Sequence, residues 1–110
     1  MSRKGGLAET ECKKKLIAEF GEHNVFKIAI GGAVDFIVVS KGMLIKAVEC
    51  KESHSKKYYP LADEKNQFRR IKAFCDDHGI KGELWIKYVG IKGRQMKWSY
   101  EYVDNYIQPL

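Results

Sequence analysis

The stretch Gly31-Gly-Ala-Val-Asp35-Phe-Ile-Val-Val-Ser40-Lys-Gly42-Met-Leu-Ile-Lys-Ala-Val-Glu49-Cys-Lys51 decides how this chain is read. Two apolar runs, Ala33 to Ser40 and about Met43 to Lys51, flank Lys41-Gly42 in the pattern of two β-strands joined by a hairpin turn. Asp35, Glu49 and Lys51 interrupt those runs. Burying charged groups in a sheet is costly unless they are paired, hydrogen-bonded or holding a metal, so their presence calls for a chemical reason. With Gly42 at the centre of a three-residue loop, Asp35 faces Glu49 and both side chains leave one face. With the turn centred between Lys41 and Gly42, Asp35 faces Val48 instead, so the site depends on register. Glu49 and Lys51 share a strand face with α-carbons about 6.5–7 Å apart, while Val48 and Cys50 point to the opposite, packed face.

Two carboxylates converging from neighbouring strands supply the hard oxygens that Mg²⁺ takes, leaving room for water and substrate phosphate. Such an ion polarises a scissile phosphate and lowers the pKa of a bound water. Lys51 beside it would orient the attacking water or neutralise charge developing in the transition state. These residue types in this order therefore point to a metal-dependent phosphodiesterase. A lone Glu-x-Lys on a strand is also the pattern of a surface salt bridge. An acid fourteen residues upstream, after a glycine turn, adds to the first reading.

Before the hairpin, Asn24 to Ile30 reads as a first strand. From Leu7 to Phe20, the residues Leu7, Ala8, Cys12, Leu16, Ile17 and Phe20 follow helical spacing, and Gly21 stops the run. Glu9 lies near the core-facing stripe of this helix, where it could serve as a further ligand, while Lys13, Lys14 and Lys15 lie on its outer side. Residues 1–6 form a basic, glycine-containing arm with Arg3 and Lys4. After the hairpin, Glu52 to Pro60 reads as a loop, and Asp63 as the N-cap of a second helix that buries Phe68, Ile71, Phe74 and Cys75 and stops at Gly79. Gln67, four residues before Ile71, is carried near the buried face. Gly82 to Val89 reads as a fourth strand and Lys92-Gly93-Arg94 as a turn. Gln95 to Val103 then alternates, with Met96, Trp98, Tyr100 and Tyr102 on one face, as a half-buried strand closing the sheet. That aromatic stripe reads as core or a subunit interface, with base stacking as the sharper alternative.

The chain has 110 residues, 45% of them apolar, a net charge of +6 and a pI near 9.2, which favours one domain over 1–110 and an anionic partner. Between Lys46 and Lys72 there are eight basic residues against four acidic, so positive charge is concentrated around the hairpin acids. Cys12, Cys50 and Cys75 lack zinc-ligand spacing and read as core residues in a reducing compartment. No apolar segment follows Arg3-Lys4 and no stretch is long enough to span a bilayer, so the expectation is a soluble, intracellular (cytoplasmic) protein with no membrane partner. His23 and His78 lie beside turn or helix-end signals, and His54 falls in a loop where solvation is the ordinary reading.

The combined pattern Arg3-Lys-Gly5, Ala8-Glu9, Lys27, Val34-Asp35 and Val48-Glu49-Cys50-Lys51 resembles the PD-(D/E)xK nuclease superfamily, and within it the archaeal-type Holliday-junction resolvases. The similarity runs over about the first half of the chain. It implies a restriction-endonuclease-like αβββαβ core, an α/β (α+β) fold with a central mixed sheet flanked by helices. It also implies a homodimer and Mg²⁺-dependent cutting of branched or junction DNA, with Mn²⁺ as a substitute ion. By position, Glu9, Asp35 and Glu49 match the acidic metal-site residues, with Cys50 also in the metal set. Lys51 matches the catalytic lysine and Gln67 the helix glutamine. Lys27 and the Arg3-Lys4 arm match basic substrate-facing positions, and Lys56, Lys57 and Arg69 are the DNA contacts expected around the 52–60 loop and second helix. Three positions depart from the pattern: Thr10 replaces an arginine, Ala29-Ile30-Gly31-Gly32 lacks a serine-containing loop, and Ala33-Val34 replaces the proline. Other readings are a restriction- or repair-like nuclease acting on DNA or RNA, or a non-catalytic nucleic-acid-binding domain in which Glu49 and Lys51 are only a salt bridge.

Overall fold

A computed structural model describes residues 6–28, 35–90 and 97–107. In chain order they form helix α1 (Gly6–Phe20), a 3₁₀ turn (Glu22–Asn24), strands β1 (Val25–Lys27), β2 (Phe36–Ser40) and β3 (Met43–Ser53), helix α2 (Ala62–His78), strands β4 (Gly82–Tyr88) and β5 (Trp98–Tyr102), and a second 3₁₀ turn (Val103–Tyr106). The five strands make one mixed sheet in the spatial order β1-β2-β3-β4-β5. β1, β2 and β3 meander antiparallel, β3 and β4 run parallel, and β5 returns antiparallel along β4. A parallel pair cannot be joined by a tight turn, and α2 supplies the crossover between β3 and β4. This is the expected α+β arrangement, with the αβββαβ order followed by one more strand.

Strand alternation divides the core between the two helices. Ala8, Cys12 and Leu16 of α1 pack with Phe36, Val38, Val48, Cys50, Trp85 and Trp98 on one face of the sheet. On the other face Phe68, Ile71 and Cys75 of α2 pack with Ala47, Leu84 and Ile86. The close approach of α2 depends on Gly82, where an added Cβ would stand 3.0 Å from Ile71 Cγ2 and 3.1 Å from Cys75 Sγ. Phe68, Ile71 and Cys75 are buried as the helical spacing required, and Phe74 packs at the margin of the same cluster. Leu7 departs from expectation: it sits in the first turn of α1 next to the buried Ala8, yet is itself exposed.

Several boundaries shift. β1 is three residues long, because Asn24 belongs to the preceding 3₁₀ turn, and residues 29–34 with the glycine pair lie outside the described residues. β3 continues through Glu52 and Ser53, read above as loop, since its parallel ladder with β4 extends to Ser53 opposite Tyr88. α2 starts two residues earlier than an Asp63 cap would place it: Leu61 is the N-cap residue, and Glu64 Oε1 accepts from its backbone N–H at 2.9 Å. β5 carries the anticipated alternation, but only Trp98 is buried. Tyr100 and Tyr102 stay about half exposed, while Trp98 alone of the three packs into the α1 core. Residues 92–96, with the expected turn and Met96, are outside the described residues.

The hairpin register resolves in an unexpected way. Ser40 pairs with Met43 and Val39 with Leu44, so the turn holds two residues, Lys41 and Gly42, and is centred between them. Their φ angles are +52° and +79°, as a type I′ turn requires. Carried on unchanged, that register would set Asp35 against Val48. A β-bulge intervenes: Val38 pairs with Lys46, leaving Ile45 as one extra residue on β3, and the ladder continues through Ile37–Ala47 to Phe36–Val48. One step further, Asp35 stands opposite Glu49. Gly42 was the wrong centre for the turn, yet the facing pair is the expected one, because the bulge restores the register.

The turn makes a test of sign. Nothing lies within 4 Å of a Cβ added at Gly42, so Gly42→Ala should cost about 1 kcal/mol from backbone conformation alone. Lys41→Asn should instead stabilise by a few tenths of a kcal/mol, since asparagine tolerates positive φ. Urea unfolding midpoints would read both, and equal stability of Gly42→Ala and wild type would contradict the turn assignment.

Candidate active site

Glu49 and Lys51 leave the same face of β3, beneath α2, and are almost fully buried at 2% and 6% exposure. Their charge is met by a compact polar network. Gln67, on the sheet-facing side of α2, donates from Nε2 to Glu49 Oε2 at 2.9 Å and accepts from Lys51 Nζ at its Oε1 at 3.0 Å. Lys51 Nζ also lies 3.3 Å from Glu49 Oε2 and 3.4 Å from Glu64 Oε2. Asp35, at the head of β2, is fixed through both backbone and side chain: Ile28 N–H donates to its carbonyl at 3.1 Å and Cys50 N–H to its Oδ2 at 2.8 Å.

The network leaves one acceptor over. Among the described residues, Glu49 Oε1 and the Tyr58 hydroxyl are the buried side-chain polar atoms without a hydrogen bond. Burial, and next the negative charge of Asp35, raise the Glu49 pKa to about 7, against the opposing pull of Lys51 and Gln67. An ionised Glu49 thus has Lys51 and Gln67 on Oε2, the negative charge of Asp35 nearby, and no hydrogen bond on Oε1. Hard oxygens facing one another in that condition fit a divalent cation.

The remaining sequence candidates distribute less neatly. Glu9 does not join the pair; it forms a 2.6 Å ion pair with Lys27, and among the described residues no three His, Cys, Asp or Glu side chains converge on a metal position. The reason is topological, since α1 covers the opposite face of the sheet from Glu49. Lys27 links the two groups electrostatically, its pKa raised first by Glu9 and in smaller part by Asp35. Cys50 cannot offer its thiol: the side chain is buried in the α1 core beside Cys12, where those neighbours and burial push its pKa up, and only its main chain reaches Asp35. Lys56 and Lys57 are exposed in the segment after β3, with Lys57 Nζ 5.6 Å from the centre of the Tyr59 ring. Arg69 is exposed on α2 and donates to Asn66 Oδ1 at 2.7 Å. Arg3 and Lys4 lie outside the described residues. Of the histidines, His54 is exposed and 3.0 Å from Glu52 Oε2, and the His78 ring rests on Phe74 at 4.6 Å.

Glu64 and Tyr58 were not singled out by sequence. Glu64 precedes Gln67 by three residues and so shares its helix face, a spacing that would have revealed it. Tyr58 falls in a polar segment with nothing to distinguish it from the exposed Tyr59.

No protein-family model matches the chain, and no curated protein does either. Among solved structures it is similar to the 1.6 Å structure of Hjc, a Holliday junction resolvase from the archaeal hyperthermophile Archaeoglobus fulgidus. The TM-score is 0.57 and the identity 18%, over 87% of this chain and 73% of that one. At that identity the likeness shows the fold: the mixed five-stranded sheet with its two helices is shared. Among the described residues no helix is long and apolar enough to cross a membrane.

The raised pKa of Glu49 carries a stability consequence. A glutamate in the unfolded chain ionises near 4.5, so between that value and about 7 the folded protein binds the additional proton. Stability in a chelating buffer should therefore fall as pH rises from about 5 to 8, by up to roughly 3 kcal/mol. Glu49→Gln should flatten this slope, as denaturant unfolding at a series of pH values would show.

Proposed function

We propose that this chain is a metal-dependent, structure-selective DNA endonuclease that hydrolyses phosphodiester bonds in branched DNA, four-way junctions foremost. The observation that carries the reading is the buried Glu49, with one unpaired carboxylate oxygen, facing Asp35 and flanked by Lys51. The fold shared with a protein described as a Holliday junction resolvase supports it. So does the PD-(D/E)xK-like order of these residues.

Asp35 and Glu49 would hold Mg²⁺, with Mn²⁺ able to substitute. When bound, the ion supplies Lewis-acid polarisation of a phosphate oxygen and a lowered pKa for a coordinated water. Lys51, held beside the carboxylates, presents an ammonium to the negative charge that builds on the phosphate. Gln67 fixes Glu49 and Lys51 relative to each other, so neither reorganises as that charge develops. Lys27, Lys56, Lys57 and Arg69 add positive surface for the sugar–phosphate backbone, an attraction that weakens with salt. Glu9 acts on this site through Lys27. A two-fold dimer would present two such sites for paired cuts across a symmetric junction.

Cleavage of four-way, flap, duplex and single-stranded DNA with Mg²⁺ tests the proposal, the junction being the expected preferred substrate. Asp35→Asn and Glu49→Gln should each lower cutting by roughly a thousandfold or more while leaving junction affinity within a few-fold. Cutting without junction preference would point to a restriction- or repair-like nuclease. A wild-type protein that binds DNA but never cuts with Mg²⁺ or Mn²⁺ would leave the non-catalytic reading standing.

A further inference from the structure

Lys51 has an anchor outside the Asp35, Glu49 and Gln67 set. The two oxygens of Glu64 do different things: Oε1 accepts from the Leu61 N–H at 2.9 Å, and Oε2 lies 3.4 Å from Lys51 Nζ. The first contact caps α2. The second ties the start of that helix to an ammonium whose side chain is only 6% exposed. Tyr58 lies close to Glu64: its buried hydroxyl makes no hydrogen bond, and its pKa is raised by burial and then by the nearby Glu64 carboxylate. The Tyr58 ring packs edge-on against Tyr106 at 5.6 Å, and Tyr106 in turn leans on Phe68 of α2 at 6.1 Å, which holds the chain after β3 against the helix.

Glu49 cannot hold Lys51 alone once it is shared. Its Oε2 already receives both Gln67 and Lys51, and a cation on its Oε1 side would repel the ammonium. Glu64 is a counter-charge that such a cation does not share. We propose that Glu64 is a positioning residue for Lys51, its carboxylate anchoring the ammonium to α2 so that Lys51 stays beside Glu49 when Glu49 also serves a cation and a phosphate. The catalytic consequence rests on the nuclease reading, whereas the anchoring does not.

Glu64→Gln separates the two contacts, because glutamine can still accept from Leu61 N–H but carries no charge. In metal-free protein, the Lys51 ammonium should give a slowly exchanging signal in ¹⁵N-resolved NMR, assigned by its loss in Lys51→Arg. That signal should broaden or vanish in Glu64→Gln. On branched DNA with Mg²⁺, kcat should fall about tenfold or more with KM within about twofold, the size typical of removing a partner that orients an active-site group. Glu64→Asp keeps the charge one methylene short and should fall between the two; if Glu64→Gln does not fold, this variant carries the test. A retained Lys51 signal together with kcat within about twofold of wild type, in whichever variant folds, overturns the proposal. Loss of the signal in a protein whose wild type cuts no DNA upholds the anchor and refutes the nuclease reading.

Discussion

The buried contact among Glu49, Lys51 and Gln67 is what the rest of the molecule accommodates. Each ion taken from water into this interior costs several kcal/mol, and mutual attraction repays that only when the remaining donors and acceptors are also met. Gln67 is suited to the task because one amide end donates to the acid and the other accepts from the base. The network still ends one hydrogen bond short at Glu49. A purely structural ion pair would gain by closing that gap, and a buried glutamate with an elevated pKa is the kind of perturbation that makes this position a candidate functional site.

The topology explains why these groups meet. β3 is an interior strand, paired with β2 on one side and β4 on the other, so its side chains have sheet to both flanks and a helix above. The crossover connection places α2 over the face that carries Glu49 and Lys51, and the glycine at the start of β4 lets the helix settle close. The opposite face is filled by α1 with apolar side chains, Trp85 and Trp98 among them. One sheet thus keeps a dry side for cohesion and a partly polar side for the candidate site.

Much of this was legible in the sequence. Charged residues in good strands identified Asp35, Glu49 and Lys51, and helical spacing brought Gln67 to the buried face. Where the reading failed, the deciding interactions were not local. Glu9 lies near the core-facing stripe as expected, partly buried, but which face of the sheet that stripe covers is fixed by tertiary packing. Cys50 shows the converse: strand alternation already turned its thiol away, and only its place between two motif residues argued otherwise. Glu52 and Ser53 look like loop because their composition is polar, and they become strand because β4 is there to pair with. Glu64 entered only as one of four acidic residues between Lys46 and Lys72; its spacing from Gln67 puts it on the same helix face, but that a lysine thirteen residues earlier lies beneath it is decided by tertiary packing.

Ile45 brings out a different kind of dependence. It is partly exposed and takes no part in the polar network, so replacing its side chain leaves the acid pair untouched. Its presence, however, is what brings Asp35 level with Glu49 after a two-residue turn. The position therefore carries information in its count rather than its chemistry. A substitution scan would pass over it, whereas a single-residue deletion there, with the turn kept, would slide β2 by one place and dismantle the site from a distance.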